Sequence, residues 1–196
     1  MTAVLQSLLS SLPPPARNAG LAIVRLGDEL AFGRAGFRLA SPAFRHGEEL
    51  DPCFTADEED AVAPPLEWSA PPSDAQELVL IVENASTPGA EPSCHWLVWG
   101  LTAQRGKLLE GETPPRTGKN AHGNSEWLLP DPPGNETQHI VFQLFALDLP
   151  LTLMPGATRA DLLAQMDGHV VASSVLVAHY TRSPEESGDL DDDTLD

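Results

Sequence analysis

An all-β fold, an antiparallel β-sandwich with a few short helices, is what this sequence predicts, and three observations predict it. Four internal segments are short, continuous and apolar, as strands buried on both faces are. The connections between them are rich in Pro and Gly (Pro64-Pro65, Pro71-Pro72, Pro114-Pro115, Pro130 to Gly134), which suits loops and edges rather than central strands. A single internal segment carries the caps and spacing of a good helix. No fixed-period repeat is visible, so one β domain is expected.

Taken in chain order, Val4, Leu5, Leu8, Leu9 and Leu12 recur at helical spacing before Pro13-Pro14-Pro15 stops the run. Residues 3–12 therefore read as a short amphipathic helix on a flexible linker, able to cover a sheet, to pair with a second subunit in a homodimer or to lie on a membrane, the last disfavoured by its shortness and lack of basic residues. From about residue 36 the pattern is β. Leu78-Val79-Leu80-Ile81-Val82 is the first buried strand, His95-Trp96-Leu97-Val98-Trp99 the second, Ile140 to Leu147 the third and Val170 to Tyr180 the fourth. Between the last two, Thr158 can cap a helix with Asp161 at its third position. Leu162, Leu163 and Met166 form its apolar stripe, and Gly168 ends it. From Pro184 onward there are seven acids and no base. So acidic a segment, with so few apolar residues, cannot offset its ordering entropy and reads as a disordered tail. The organisation expected is helix and linker over 1–35, a β domain over 36–182 and an acidic tail over 183–196.

Charge narrows the function. Eleven Lys and Arg against 29 Asp and Glu give a net charge of −18. That balance argues against nucleic acid, which needs a basic face, and against anionic lipid surfaces, which recruit polybasic segments. No run approaches the roughly 18 apolar residues of a membrane span. The first 16 residues hold no Lys or Arg and no long apolar core, so no signal peptide is read and a cytoplasmic location is expected. Cys53 and Cys94 are too few for a disulfide framework and read as free thiols.

Motifs for chemistry are mostly missing. There is no Gly-rich phosphate loop, no Gly-x-Ser-x-Gly, no His-Glu-x-x-His and no Ser-x-x-Lys. The six histidines match no zinc spacing, so neither cofactor nor metal is expected. Asp57-Glu58-Glu59-Asp60 lacks the alternation and glycine of a calcium loop and reads as a solvated turn. The four tryptophans read as core or cavity-mouth residues. His95 alone has a suggestive context, opening an apolar strand after a loop that holds Asn84, Ser86 and Glu91.

These segments carry a resemblance. Phe54 to Ser69 (FTADEEDAVAPPLEWS) resembles the "YTxDGxxxSPPLxWS" segment of the phosphatidylethanolamine-binding family, also called Raf-kinase-inhibitor-like proteins. Leu80 to Pro88 lies at its "DPDAP" loop and His95-Trp96 at its histidine-bearing strand. Gly118 to Pro133 resembles its "GxNxxGxxGYxGPxPP" loop, Phe142 to Asp148 its "FxLYALD" strand, and Met166 to Ala172 its "MxGHxLA" segment. The likeness covers about residues 37–182, is nearest to the bacterial branch, and implies that family's β-sandwich and its small anion-binding pocket.

Carried over position by position, the resemblance implies a ligand site at His95, Asn84, Ser86, Pro130, Pro132, Gln138 and His139. The family's aspartate positions are Asn84 and Ser86 here. Its "GPxPP" is Leu129-Pro130-Asp131-Pro132-Pro133, and its "HRY" falls on Gln138-His139-Ile140. Asn84 can hydrogen-bond His95 but cannot hold it as imidazolium, and Gln138 can donate but carries no charge. Asp131 should repel a phosphate. The resemblance thus implies a non-enzymatic binding or regulatory protein with an altered anion pocket and a small anionic ligand or a protein as partner. The alternative is an enzyme reusing that pocket, with His95 as general acid or base.

Overall fold

The computed structural model describes residues 20–86 and 91–182, together with Ser7, Ser10 and Leu12. Of the helix expected over residues 3–12 only Ser7, Ser10 and Leu12 are described, and the acidic tail expected over 183–196 lies outside the described residues.

Eight strands and two α-helices are described: α1 (Ala22–Leu26), β1 (Leu39–Ala40), β2 (Leu66–Trp68), β3 (Glu77–Asn84), β4 (Ser93–Thr102), β5 (Gly106–Leu108), β6 (Arg116–Thr117), β7 (Thr137–Leu147), α2 (Arg159–Met166) and β8 (Val170–Thr181). They form a five-stranded sheet in the order β6-β4-β3-β7-β8 and a three-stranded sheet in the order β1-β2-β5. Every pairing between strands is antiparallel.

The four long strands read as apolar runs because their sheet is covered on both faces. Leu78, Leu80 and Val82 of β3, Trp96 and Val98 of β4, Phe142 and Leu144 of β7 and Leu176 of β8 pack against Leu39, Leu66 and Trp68 of the smaller sheet. The alternate residues (Val79, Ile81, Leu97, Trp99, Phe145, Val177) form a second core under Leu12, α1 and α2. A strand sandwiched this way has no polar face, so its period-2 signal disappears. β2 shows the contrast: Leu66 and Trp68 are buried and Glu67 between them is exposed.

Helix α2 is as its sequence predicts. Asp161 N–H donates to Thr158 Oγ1 and Thr158 N–H donates to the Asp161 carboxylate, a reciprocal capping box, while Leu162, Leu163 and Met166 are buried. The stretch read as linker up to residue 35 behaves differently. Leu21, Ala22 and Ile23 are fully buried. Ala22 N–H donates to Glu83 Oε2 (2.9 Å) and Ile23 N–H to Gln143 Oε1 (2.7 Å). Two polar side chains within apolar strands therefore anchor α1, a partnership 61 and 120 residues distant that local pattern does not carry.

Two irregularities shape β4. Gly100, at φ +74, is an extra residue opposite β3 between the Leu78↔Leu101 and Leu80↔Val98 pairs. A positive φ in a bulge favours glycine. The second lies where Val82 pairs Trp96 but Glu83 pairs Cys94, leaving His95 as the extra residue.

Candidate functional site

That second bulge aims the histidine. Without it, alternation from Trp96 would turn His95 towards the helix-covered face. With it, Cys94 takes that side and packs in the second core, and His95 stays on the side of Trp96. There His95 lines a cavity of about 440 Å³ at the end of the sandwich. Asn84, Ser86 and Ser93 contribute one wall from the facing ends of β3 and β4. The connection after β6 contributes His122, Leu128, Leu129, Asp131 and Pro133, and the approach to β7 contributes Glu136, Thr137 and Gln138.

The connecting loop is held rigidly. Buried Asn120 accepts from the N–H groups of His122 (2.9 Å) and Asn124 (3.3 Å), and its Nδ2 donates to Asn124 Oδ1 (2.6 Å) and to the Glu126 carbonyl (3.0 Å). Ala121 N–H donates to the Cys94 carbonyl (2.8 Å) and Leu128 N–H to the His95 carbonyl (2.9 Å), so the loop is zipped onto β4 on both sides of the bulge. Trp127 closes the inner wall, with ring centroids 6.0 Å from His95, 5.8 Å from Trp96 and 6.0 Å from Phe142. Its indole N–H donates to the Phe54 carbonyl (3.2 Å).

His95 is 3% exposed, and its Nδ1 lies 2.6 Å from the Leu128 carbonyl. A carbonyl only accepts, so Nδ1 carries the hydrogen and Nε2 of the neutral ring is left as an acceptor. Burial pushes its pKa down to about 4, opposed by the Leu128 bond and assisted by His122. At neutral pH the ring is uncharged. Leu128 thus performs the orienting role assigned to Asn84 from sequence. Asn84 Oδ1 instead accepts from the Ser86 N–H (2.8 Å), an Asx turn at the end of β3.

The other predicted positions separate. Gln138 reaches the cavity and accepts from the Asp131 N–H (3.1 Å), tying the loop to β7. His139, one residue on, turns to the opposite face of the sheet. Its Nδ1 lies 3.1 Å from Ser86 Oγ, which also accepts from the His139 N–H (2.9 Å). Burial, then the neighbouring His179 ring at 6.3 Å, lowers the His139 pKa. Pro130 and Pro132 are buried behind the loop, Pro130 accepting from the Ala56 N–H (3.0 Å), while Leu129, Asp131 and Pro133 form the wall.

Asp131 is not alone in the loop. Arg182 contacts it at 2.7 Å and Asp57 at 2.7 Å, and Tyr180 OH donates to Asp57. Residue-by-residue reading misses the Leu128 carbonyl, the wall residues Ser93, His122, Glu136 and Thr137, and Arg182 just outside the cavity; backbone carbonyls carry no sequence signal, and the others are gathered only by the loop and by β8. Burial raises the Cys53 thiol to about 11 and the Cys94 thiol to about 12, so both are held as neutral thiols near neutral pH. Among the described residues, no cluster of three or more His, Cys, Asp or Glu could hold a metal ion, and no helix is long and apolar enough to cross a membrane.

Comparison with known proteins places this geometry. The sequence model described as phosphatidylethanolamine-binding protein matches residues 40–181. A protein of Methanothermobacter thermautotrophicus named UPF0098 protein is 31% identical over 154 residues, covering 74% of this chain and 98% of the relative. The crystal structure of a phosphatidylethanolamine-binding protein homologue from Chlamydia trachomatis superposes with a TM-score of 0.69 at 30% identity, over 76% of this chain and 98% of that one. YbcL of E. coli shares the fold at a TM-score of 0.68 and 19% identity, over 76% of this chain and all of its own.

Proposed function

The chain belongs to the phosphatidylethanolamine-binding protein family, and from that premise we propose that it is a non-enzymatic binding protein whose His95 cavity takes a small polar ligand bearing a hydrogen-bond donor. One observation carries the reading: a buried, neutral His95 whose Nδ1 is committed to Leu128, in a cavity whose lining, among the described residues, includes Asp131 and Glu136 and no Lys or Arg, the nearby Arg182 being paired with Asp57 and Asp131. An accepting Nε2 welcomes N–H or O–H. It offers nothing to a fully ionised phosphate, which is itself only an acceptor. The anion the family resemblance implies is therefore bound, if at all, through a protonated oxygen or beside an attached ammonium group. Phosphorylethanolamine, the headgroup in the family's name, carries such an ammonium.

The enzyme alternative is weaker on the same ground. A base with a pKa near 4 has little driving force to take a proton at neutral pH, and it carries none to give.

His95 ring signals and the amides of Leu128 and Gln138, followed by NMR at pH 7 with ethanolamine, phosphorylethanolamine and sulfate (an anion with no proton to donate at this pH), test this. The two ammonium ligands should move His95 saturably, sulfate should not, and His95→Ala should abolish the amide shifts. A saturable response to sulfate would restore the anion pocket and overturn the donor reading. Silence to all three would remove the cavity as a site for this class.

A further inference from the structure

A second concavity, of about 400 Å³, lies on the outer face of the three-stranded sheet, and its walls are basic in a strongly acidic chain. Arg38, Arg105 and Lys107 surround it with Glu67 and Ser69 between them. The register explains why they meet. Lys107 of β5 stands directly opposite Glu67 of β2. Arg38 leads into β1 and is clamped to Ser69, its N–H donating to Ser69 Oγ (2.9 Å) and its carbonyl accepting from the Ser69 N–H (3.0 Å). Arg105 precedes Gly106, which pairs Trp68, so it falls on the far side of Ser69 from Arg38. Two strand spacings, about 10 Å, then separate the arginine backbones, a span two long side chains can close over one ligand.

The frame behind them is stiff. Trp68 Nε1 donates to the Gln104 carbonyl (3.0 Å), and a Cβ at Gly106 would come within 3.0 Å of the Trp68 ring. Gly106 therefore faces the core and its neighbours Arg105 and Lys107 face outward. Among the described residues, the side chains of Arg38, Arg105 and Lys107 make no hydrogen bond or ion pair. Arg34, Arg159 and Arg182, by contrast, are each paired with a carboxylate. One acid among three unpaired cations leaves a local positive excess.

We infer that this concavity is a second binding site, for a small multivalent anion of the phosphorylated or polycarboxylate class. Arg38 and Arg105 supply planar forks that match phosphate and carboxylate oxygens, and Lys107 supplies a point charge. The volume suits a ligand larger than a single phosphate. The site is separate from the His95 cavity and stands whether or not the donor reading of that cavity holds.

Titrating the full chain with inorganic pyrophosphate and separately with citrate, at constant ionic strength, tests this through backbone amide NMR. Saturable shifts are expected at residues 38, 69 and 105–107, with the His95 cavity unmoved. Arg38→Gln, Arg105→Gln and Lys107→Gln should each weaken binding roughly three- to tenfold, and Glu67→Gln should tighten it. Saturation by one probe alone supports the site and separates phosphate from carboxylate. Shifts that fail to saturate, that spread equally to Arg25, Arg45 and Lys119, or that map to residues 84–95 overturn it.

Discussion

Glu83 and His95 are both buried in the five-stranded sheet, on opposite faces, and their surroundings differ in kind. Glu83 is fully enclosed: Oε2 accepts from the Ala22 N–H (2.9 Å) and from Gln143 Nε2 (2.7 Å), and Oε1 from Arg159 Nε (2.5 Å). Arg159 in turn donates to the Gly20 carbonyl (2.7 Å). The network closes on itself and ties α1, α2, β3 and β7 together. The His95 ring has one hydrogen bond among the described residues, to the Leu128 carbonyl, and its edge lines a cavity. Burial of a polar group is common to both; a ring that faces a cavity rather than a closed network marks the site.

The comparison breaks first at Arg159. Arg159→Met leaves the Glu83 carboxylate buried without its cation and should cost about 3–5 kcal/mol, read as a lower urea midpoint. Any ligand response of His95 should survive in whatever fraction remains folded. An unchanged midpoint would mean that Glu83 is satisfied by its neutral donors.

His95 gives the next effect. Its folded pKa is depressed to about 4, so at pH values between that and the unfolded value of about 6.5 the unfolded chain binds the proton and the folded chain does not. Stability is therefore full above pH 6.5 and falls as pH drops towards 4, by about 3 kcal/mol at most. Measured against His95→Gln, the wild-type loss over this window should exceed the variant's. Parallel curves would place the titration elsewhere.

Smaller still is Thr158→Ala, which removes one half of the α2 capping box and should cost about 1 kcal/mol by thermal unfolding. The least effect on stability is expected for Arg182→Gln, because its ion pairs to Asp57 and Asp131 are partly solvated. Its value lies in the cavity: with Asp131 unpaired, the affinity of an ammonium ligand should rise and its salt dependence steepen. No change in either would detach Asp131 from the site.

Strand identity was legible because it is local. Leu78 to Val82, Ile140 to Leu147 and Val170 to Tyr180 are apolar without alternation, and such runs describe a sheet covered on both faces; the two cores above and below these strands are that covering. Thr158, Asp161 and Gly168 announced α2 for the same reason, since a capping box is written within four residues. The short strands β1, β2, β5 and β6 left no comparable trace, having two or three residues each. Nor did α1, whose five residues depend on Glu83 and Gln143.

Residue types and spacings alone carried the all-β class, the order of the main elements and the family resemblance, and they pointed to His95 as the histidine to follow. Tertiary structure alone decided which way that histidine points, what orients it and what charge it carries. A one-residue bulge against β3 sets its face, a carbonyl 33 residues along the chain sets its tautomer, and enclosure by the loop and Trp127 removes its charge. Residue type and spacing encode local conformation, whereas side-chain direction, protonation and the gathering of Arg38, Arg105 and Lys107 depend on strand register, which only long-range pairing settles.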